Sequence, residues 1–242
     1  SYDRRIQKVA RAVVKLLKTA NVNFAVLGSA ERCTGESARR MGDEFLFQEL
    51  AETNLKTLQR HQVKKIVTHC PHCLNSFKND YPQLGDKLEV AHHSELIAEL
   101  ARTGKFPVHE KTLSSHGLTY HDPCYLARVN EVTEPPRRLL EMLKTTHGNE
   151  SLLEMPRHGR MTSCCGAGGV RMWFDDEPEK RIGVSRVNEA LDTGAKTVAV
   201  SCPFCLTMLS DGVAARDSNV QVKDIAELLA EALDTKDSNQ EI

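Results

Sequence analysis

Seven of the eight cysteines fall into two blocks of like spacing, which limits this chain to folds that carry one unit twice. Cys33 stands 37 residues before the first thiol of Cys70-Pro71-His72-Cys73. Cys165 stands the same 37 residues before the first thiol of Cys202-Pro203-Phe204-Cys205, and Cys124 lies upstream of this second block. By that count Cys33 corresponds to Cys165. The flanks agree, because Lys65-Ile66-Val67-Thr68-His69 and Thr197-Val198-Ala199-Val200-Ser201 are apolar runs ending at the thiols. Thiols repeated at fixed strand ends read as a ligand set.

Composition narrows the use of those thiols. At 242 residues and 40% hydrophobic content, the chain can bury a core without staples, as one large domain or two of about half the length. Eight cysteines without a secretory signal then point to metal or redox work, and the expected location is the cytoplasm. A net charge of −1 argues against a nucleic-acid surface or a polybasic membrane patch, since both need clustered Lys and Arg. No apolar run approaches the roughly 18 residues of a spanning helix. The chain opens at Ser1 directly in a helical pattern, so we expect it to be part of a larger chain or multi-subunit complex.

Hydrophobic periodicity predicts an amphipathic helix over 4–19, a short buried strand over Phe24-Ala25-Val26-Leu27, and one long helix from about Ala38 to Arg60. Strands are expected at Ile66-Val67, Leu118 to His121 and Val198 to Val200, with helices over Arg137–Lys144 and about Pro178–Leu191. Pro71 and Pro203 each follow a cysteine at a strand end, where proline suits the first helical position, so both Cys-Pro-x-Cys pairs should sit at helix N-termini. Free N–H groups there favour thiolate. The matching helices Glu95–Leu100 and Asp224–Leu229 close the two units. The expected fold is therefore α/β: two pseudo-symmetric repeats, 1–104 and 117–235, with parallel strands, crossover helices and metal centres at the carboxyl ends of the strands. Gly104–Gly117 reads as the linker and Lys236–Ile242 as a frayed tail.

Several chemistries compete for the thiols. A lone Cys-Pro-His-Cys reads as a thioredoxin-like dithiol, but that leaves the second copy and the distant partner cysteines unexplained. Zinc wants four ligands, and His69, His72, His92 and His93 lie near the first block, so zinc remains an alternative to iron–sulfur there. The second block offers five thiols, Cys124, Cys164, Cys165, Cys202 and Cys205, of which the adjacent pair suits a cluster with several irons to bind. Gly166-Ala167-Gly168-Gly169 is not a dinucleotide fingerprint, since Arg171 occupies the third glycine position; its expected use is close backbone approach to sulfur. Arg39 and Arg40 are read either as a solvated helix face or as offsetting cluster charge. His121 is a proton shuttle or a structural histidine, and Trp173 a shield for the second centre or a hinge filler.

Asp122-Pro123-Cys124, Cys164-Cys165-Gly166 and Cys202-Pro203-Phe204-Cys205 together resemble the Cys-Cys-Gly (CCG) domain found in heterodisulfide reductases and related iron–sulfur oxidoreductases. The resemblance implies two tandem copies, each with a lone cysteine, a Cys-Cys-Gly and a Cys-x-x-Cys, and a noncubane [4Fe–4S] cluster where five thiolates are present. The second copy is complete. The first keeps one thiol in Cys33-Thr34-Gly35, so the resemblance implies a four-ligand cubane on Cys33, Cys70, Cys73 and a lone cysteine. Matching Lys18 to Lys144 gives an offset of 126, which puts that cysteine just before Ser1. Until it is supplied, zinc with a histidine is the alternative occupant. Cys33-Thr34-Gly35-Glu36-Ser37-Ala38-Arg39-Arg40 also resembles long members with membrane and ferredoxin-like parts, which implies a place at the inner face of the membrane. The implied function is electron transfer from a flavoprotein or ferredoxin-type donor to a quinone or disulfide acceptor, with chemistry at Cys124, Cys164 and Cys165 and the first centre as relay. A heterodisulfide-type reductase and a structural zinc protein are the alternatives.

Overall fold

The computed structural model describes residues 3–85, 87–106, 111–113, 117–145, 152–174, 177 and 181–234. Its regular elements are Arg4–Thr19 (α1), Glu36–Met41 (α2), Glu44–Arg60 (α3), Lys65–Thr68 (β1), Pro71–Asn75 (α4), Glu89–His92 (β2), His93–Arg102 (α5) and Lys111–Leu113 (β3). They continue with Leu118–Tyr120 (β4), Glu134–Glu141 (α6), Leu143–Thr145 (β5), Ile182–Asp192 (α7), Thr197–Val200 (β6), Pro203–Ala214 (α8), Gln221–Asp224 (β7) and Ile225–Asp234 (α9).

Every strand pairing is parallel among the described residues: β1 with β2, β3 with β5, and β4-β6-β7 in that order. The two halves repeat one another in detail. Thr68 stands opposite His92, and Val200 opposite Asp224, at the ends of equivalent ladders. His92 and Asp224 then cap equivalent helices. Ser94 N donates to His92 Nδ1 while His92 N donates to Glu95 Oε2 at 2.8 Å; Ala226 N donates to Asp224 Oδ1 at 2.9 Å while Asp224 N donates to Glu227 Oε2 at 3.0 Å. Each is a reciprocal cap that satisfies two end N–H groups.

The halves share a core. Leu16 and Leu17 of α1, Ile97 and Leu100 of α5, Leu139 and Leu140 of α6, and Ile225, Leu228 and Leu229 of α9 belong to one buried cluster. α1 of the first half lies along α9 of the second, and α6 of the second along α5 of the first. Arg5 ties the first contact, donating to Glu227 at 2.6 and 2.7 Å. Burial of so many Leu and Ile side chains, each worth roughly 1.5–3 kcal/mol relative to exposure, makes this exchange of helices the main hold between the halves.

The fold class agrees with the expectation, and some elements differ. Phe24-Ala25-Val26-Leu27 is not a strand. Asn21 takes a positive φ of 52° to close α1, no described strand is ladder-paired with the run, and Val26 is 70% exposed. Four apolar residues without a ladder partner do not make a strand. The expected helix 38–60 is two helices, because Gly42 adopts φ 91° after α2 and Asp43 caps α3 by accepting from Leu46 N. Met41-Gly42-Asp43-Glu44 carries that stop-and-start signal. The expected helix over Arg137–Lys144 begins earlier, at Glu134, and gives way to β5. β3 occupies part of the segment read as linker, whose residues 107–110 and 114–116 lie outside the described residues, as do 178–180 and the tail from Lys236 to Ile242. No described helix is long and apolar enough to cross a membrane.

Candidate metal centre

The second-half thiols converge from three segments. Cys124 begins the turn after β4, Cys164 and Cys165 sit on the loop after Thr162, and Cys202 and Cys205 flank the start of α8, where Pro203 is the first helical residue. Cys124 Sγ lies 4.0 Å from Cys164 Sγ, and Cys205 Sγ 3.4 Å from Cys165 Sγ. Cys165, Cys202 and Cys205 are buried, Cys124 and Cys164 half-buried, and none is in a disulfide. Two N–H groups are aimed at sulfur. Gly166 N donates to Cys164 Sγ at 3.3 Å, with Gly166 at φ 89°, a conformation that favours glycine.

His121 supplies the other, with its Nε2 3.3 Å from Cys205 Sγ. Arg186 Nε donates to His121 Nδ1 at 2.9 Å, so Nε2 must carry the ring hydrogen and point it at the sulfur. His121, Cys165 and Cys205 offer ligand-type atoms within 4.8 Å of one another. A zinc-bound imidazole donates its outer N–H to an acceptor, whereas here the outer nitrogen accepts. The arrangement therefore suits a hydrogen bond to a thiolate sulfur rather than a Cys/His zinc site.

The first half lays out the same design with one thiol fewer. Gly35 N donates to Cys33 Sγ at 3.4 Å with Gly35 at φ 78°, as Gly166 does to Cys164. Thr34 Oγ1 then points at Cys73 Sγ, 3.6 Å away, as Cys165 points at Cys205. Equal spacing had paired Cys33 with Cys165; the structure instead pairs Cys33 with Cys164 and Thr34 with Cys165, because the interval to the downstream pair differs by one residue. Asn54 Nδ2 donates to Cys33 O at 2.8 Å, and Tyr81 Oη to Thr34 O at 3.0 Å, fixing this loop. Cys33 is exposed, and Cys33, Cys70 and Cys73 do not all come within 4.8 Å of one another.

Negative charge is unevenly shared within each thiol group. Hydrogen bonds from Cys124 and Cys165, helped by Gly166 N–H and opposed by burial, hold the Cys164 thiol down to about 2. Cys124 is pushed up by sharing its proton with Cys164, and Cys165 is pushed up likewise. Burial raises Cys202, but Cys205 and His72 outweigh it and bring Cys202 down to about 5. In the first half Cys73 is lowered and Cys70 raised by their mutual hydrogen bond. The second half thus presents thiolate at neutral pH on Cys164 and Cys202, the form that binds metal, and in the first half the charge is directed to Cys73.

Of the histidines near the first block, none joins its thiols in a group as tight as that around His121, among the described residues. His72 Nδ1 is taken by Glu36 Oε1 at 2.9 Å. His92 Nδ1 pairs with Ser94 Oγ at 2.7 Å, and His93 Nε2 faces Asp224 Oδ1 at 3.2 Å. Arg39 and Arg40 are ion-paired rather than merely solvated: both reach Asp80 at 3.2 Å, and Arg40 also meets Glu36 at 3.5 Å. Trp173 is 60% exposed and meets Phe204 edge-on at 6.1 Å, so it fills no interior space.

Two supporting residues escaped the sequence reading. Arg186 is fully buried and donates to Arg157 O, Glu189 Oε2 and His121. Its only sequence signal is the Arg-x-x-Glu spacing on α7. Gly183, on the same helix, lets Cys165 O approach to where a Cβ would stand at 2.6 Å. No linear pattern marks that contact.

The model of the CCG cysteine-rich domain family matches residues 1–78 and again 118–210. The chain is 47% identical over 239 residues to the probable iron-sulfur-binding oxidoreductase FadF of Bacillus subtilis, covering 96% of this chain and 32% of that protein. It is 40% identical over 243 residues to the EtfAB:quinone oxidoreductase of Syntrophomonas wolfei, covering 97% of the chain and 33% of the relative. One polypeptide of the dihydromethanophenazine:CoB–CoM heterodisulfide reductase of Methanosarcina barkeri is 36% identical over 231 residues, covering 93% and 55%. The chain thus spans about a third of the length of the first two relatives and about half of the third. With two matched segments, each holding one of the thiol groups described above, the chain belongs to the CCG cysteine-rich domain family.

Proposed function

We propose that this chain is the electron-transfer part of an iron–sulfur oxidoreductase that takes electrons from an electron-transfer flavoprotein and delivers them to a quinone. One observation carries the reading: five thiols of the second half, three of them buried and two half-buried, meet in one locus with N–H groups of Gly166 and His121 already directed at their sulfurs. Ready-made donors to thiolate sulfur lower the cost of added negative charge, as reversible one-electron chemistry requires.

Cys124, Cys164, Cys165, Cys202 and Cys205 would hold a noncubane [4Fe–4S] cluster, and Cys33, Cys70 and Cys73, with a fourth ligand, a cubane. These clusters, when bound, supply one-electron storage at potentials set by the protein. Gly166 N and His121 Nε2 stabilise charge on Cys164 and Cys205, Arg186 fixes the His121 tautomer, and Gly35 N serves Cys33 as Gly166 serves Cys164. Donor and acceptor are taken from the relative named for EtfAB and quinone. A quinone acceptor would bring the protein to the cytoplasmic face of a membrane.

The test is turnover. Anaerobically purified full-length protein, reduced by electron-transfer flavoprotein, should be reoxidised by a menaquinone analogue with return of its visible absorbance. Reoxidation by a disulfide but not by the quinone would favour the heterodisulfide-reductase reading instead.

A further inference from the structure

Thr34 takes the place of a ligand and brings a different chemistry to it. Its turn, Cys33-Thr34-Gly35, repeats Cys164-Cys165-Gly166, and its Oγ1 lies 3.6 Å from Cys73 Sγ where the second half sets one sulfur 3.4 Å from another. Thr34 is buried, and Cys73 Sγ is the acceptor within reach of its hydroxyl among the described residues.

The direction of that hydroxyl is set by the turn that carries it. Tyr81 Oη donates to Thr34 O at 3.0 Å and accepts from Asn54 Nδ2 at 3.0 Å, while the second hydrogen of the same Nδ2 goes to Cys33 O at 2.8 Å. The buried Tyr81 ring is itself held edge-on by Phe77 and Phe47, at 4.9 and 6.1 Å between centroids. Gly35 closes the turn at φ 78°, and a Cβ there would stand 3.0 Å from Phe47 Cδ2, so the turn lies directly against α3. Two buried polar side chains and a glycine thus hold the backbone on both sides of Thr34.

We propose that Thr34 is a positioning residue of the first centre: held by Tyr81 and Asn54, it donates a hydrogen bond to Cys73 Sγ and so makes that centre easier to reduce. The inference rests on the iron–sulfur reading above. A sulfur bound to metal is a thiolate without a hydrogen, so a hydroxyl facing it can only donate. That bond withdraws negative charge from the sulfur, and the reduced cluster, which carries more charge, gains more from it than the oxidised one. A cysteine in this place would add a thiolate's charge; threonine acts in the opposite sense.

Redox titration of full-length protein, followed by EPR with the two centres resolved, tests the proposal. Thr34→Val keeps the shape of the side chain and removes the hydroxyl. The first centre should become several-fold harder to reduce, up to about tenfold, which is about 59 mV for one electron, while the second centre keeps its potential. Thr34→Ser, which retains the hydroxyl, should stay close to wild type, and Tyr81→Phe, which loosens the turn, should shift the first centre in the same direction by less. If Thr34→Val does not assemble, Thr34→Ala carries the test. An unchanged first-centre potential in a hydroxyl-free variant that retains its iron overturns the inference, as does an equal shift in Thr34→Ser. Loss of first-half iron from both Thr34→Val and Thr34→Ala but not from Thr34→Ser would also overturn it, because the hydroxyl would then serve assembly and not potential. Wild-type protein without iron and sulfide would instead overturn the iron–sulfur reading itself.

Discussion

Thr34 stands in the first half where Cys165 stands in the second. Its hydroxyl lies 3.6 Å from Cys73 Sγ, and the Cys165 thiol lies 3.4 Å from Cys205 Sγ. The halves thus share a loop geometry and differ in one donor atom, which is the structural basis for expecting different clusters from a duplicated unit.

That difference makes the two centres unequal in response to substitution. Cys165→Ser should disturb the second-half spectrum and abolish turnover with acceptor, whereas Thr34→Cys should at most modify the first centre. Visible and EPR spectra of the two variants, prepared anaerobically, check this. Mild and equal effects from Cys164→Ser and Cys165→Ser would speak against a five-thiolate assembly.

Gly183→Ala places a methyl group 2.6 Å from the Cys165 carbonyl, a distance at which backbone must move. Overpacking of this kind costs typically about 1–3 kcal/mol. The variant should unfold at lower denaturant and lose iron from the second centre before the first. Full second-centre occupancy with an unchanged midpoint would show that the α7 contact is loose.

Arg186→Met removes the donor that sets the His121 tautomer and leaves His121 Nδ1 buried, and Arg157 O part-buried, without it. Orphaned buried acceptors cost about 1–3 kcal/mol each. We expect a loss of that order and an altered second-centre spectrum, because His121 Nε2 is no longer committed to donating to Cys205. Spectra identical to wild type would mean that the tautomer is set elsewhere.

The centre was more legible in the sequence than its supports. Pro71 and Pro203 marked helix starts because proline's fixed φ suits a first helical turn, and the structure has both there. Cys164-Cys165-Gly166 was visible as a unit since its residues are contiguous. The register was not, because an equal count of 37 matched Cys33 to Cys165, while the shared Gly35 and Gly166 turns match it to Cys164. His72 was read as a neighbour of the first thiols, and only packing reveals that its ring lies among Tyr125 and Phe204. Long-range contacts such as Gly183 to Cys165 leave no local pattern.

Neutral histidines, His92 and His121 buried and His69 half-buried, should weaken the fold in acid. Burial first, then nearby His93 or Arg186, depresses His69 to about 4 and His121 to about 3, and burial with His93 and His69 depresses His92 well below its usual range. Their folded values lie below the unfolded value of about 6.5, so their contribution is fully present above that pH and is lost as pH falls from there through the folded values. Metal-stripped, reduced protein should lose denaturant resistance between about pH 7 and pH 5, and His92→Asn, which keeps a capping side chain, should make the loss shallower. A flat profile over that window would contradict the assignment.

The most direct test of the account is the inventory of metal and sulfide. Full-length protein purified without oxygen should carry at least about eight irons and as many acid-labile sulfides per chain, as two four-iron centres in this part require, with the share held by Cys124, Cys164, Cys165, Cys202 and Cys205 lost selectively in Cys202→Ser. Zinc in both halves and no labile sulfide would contradict it.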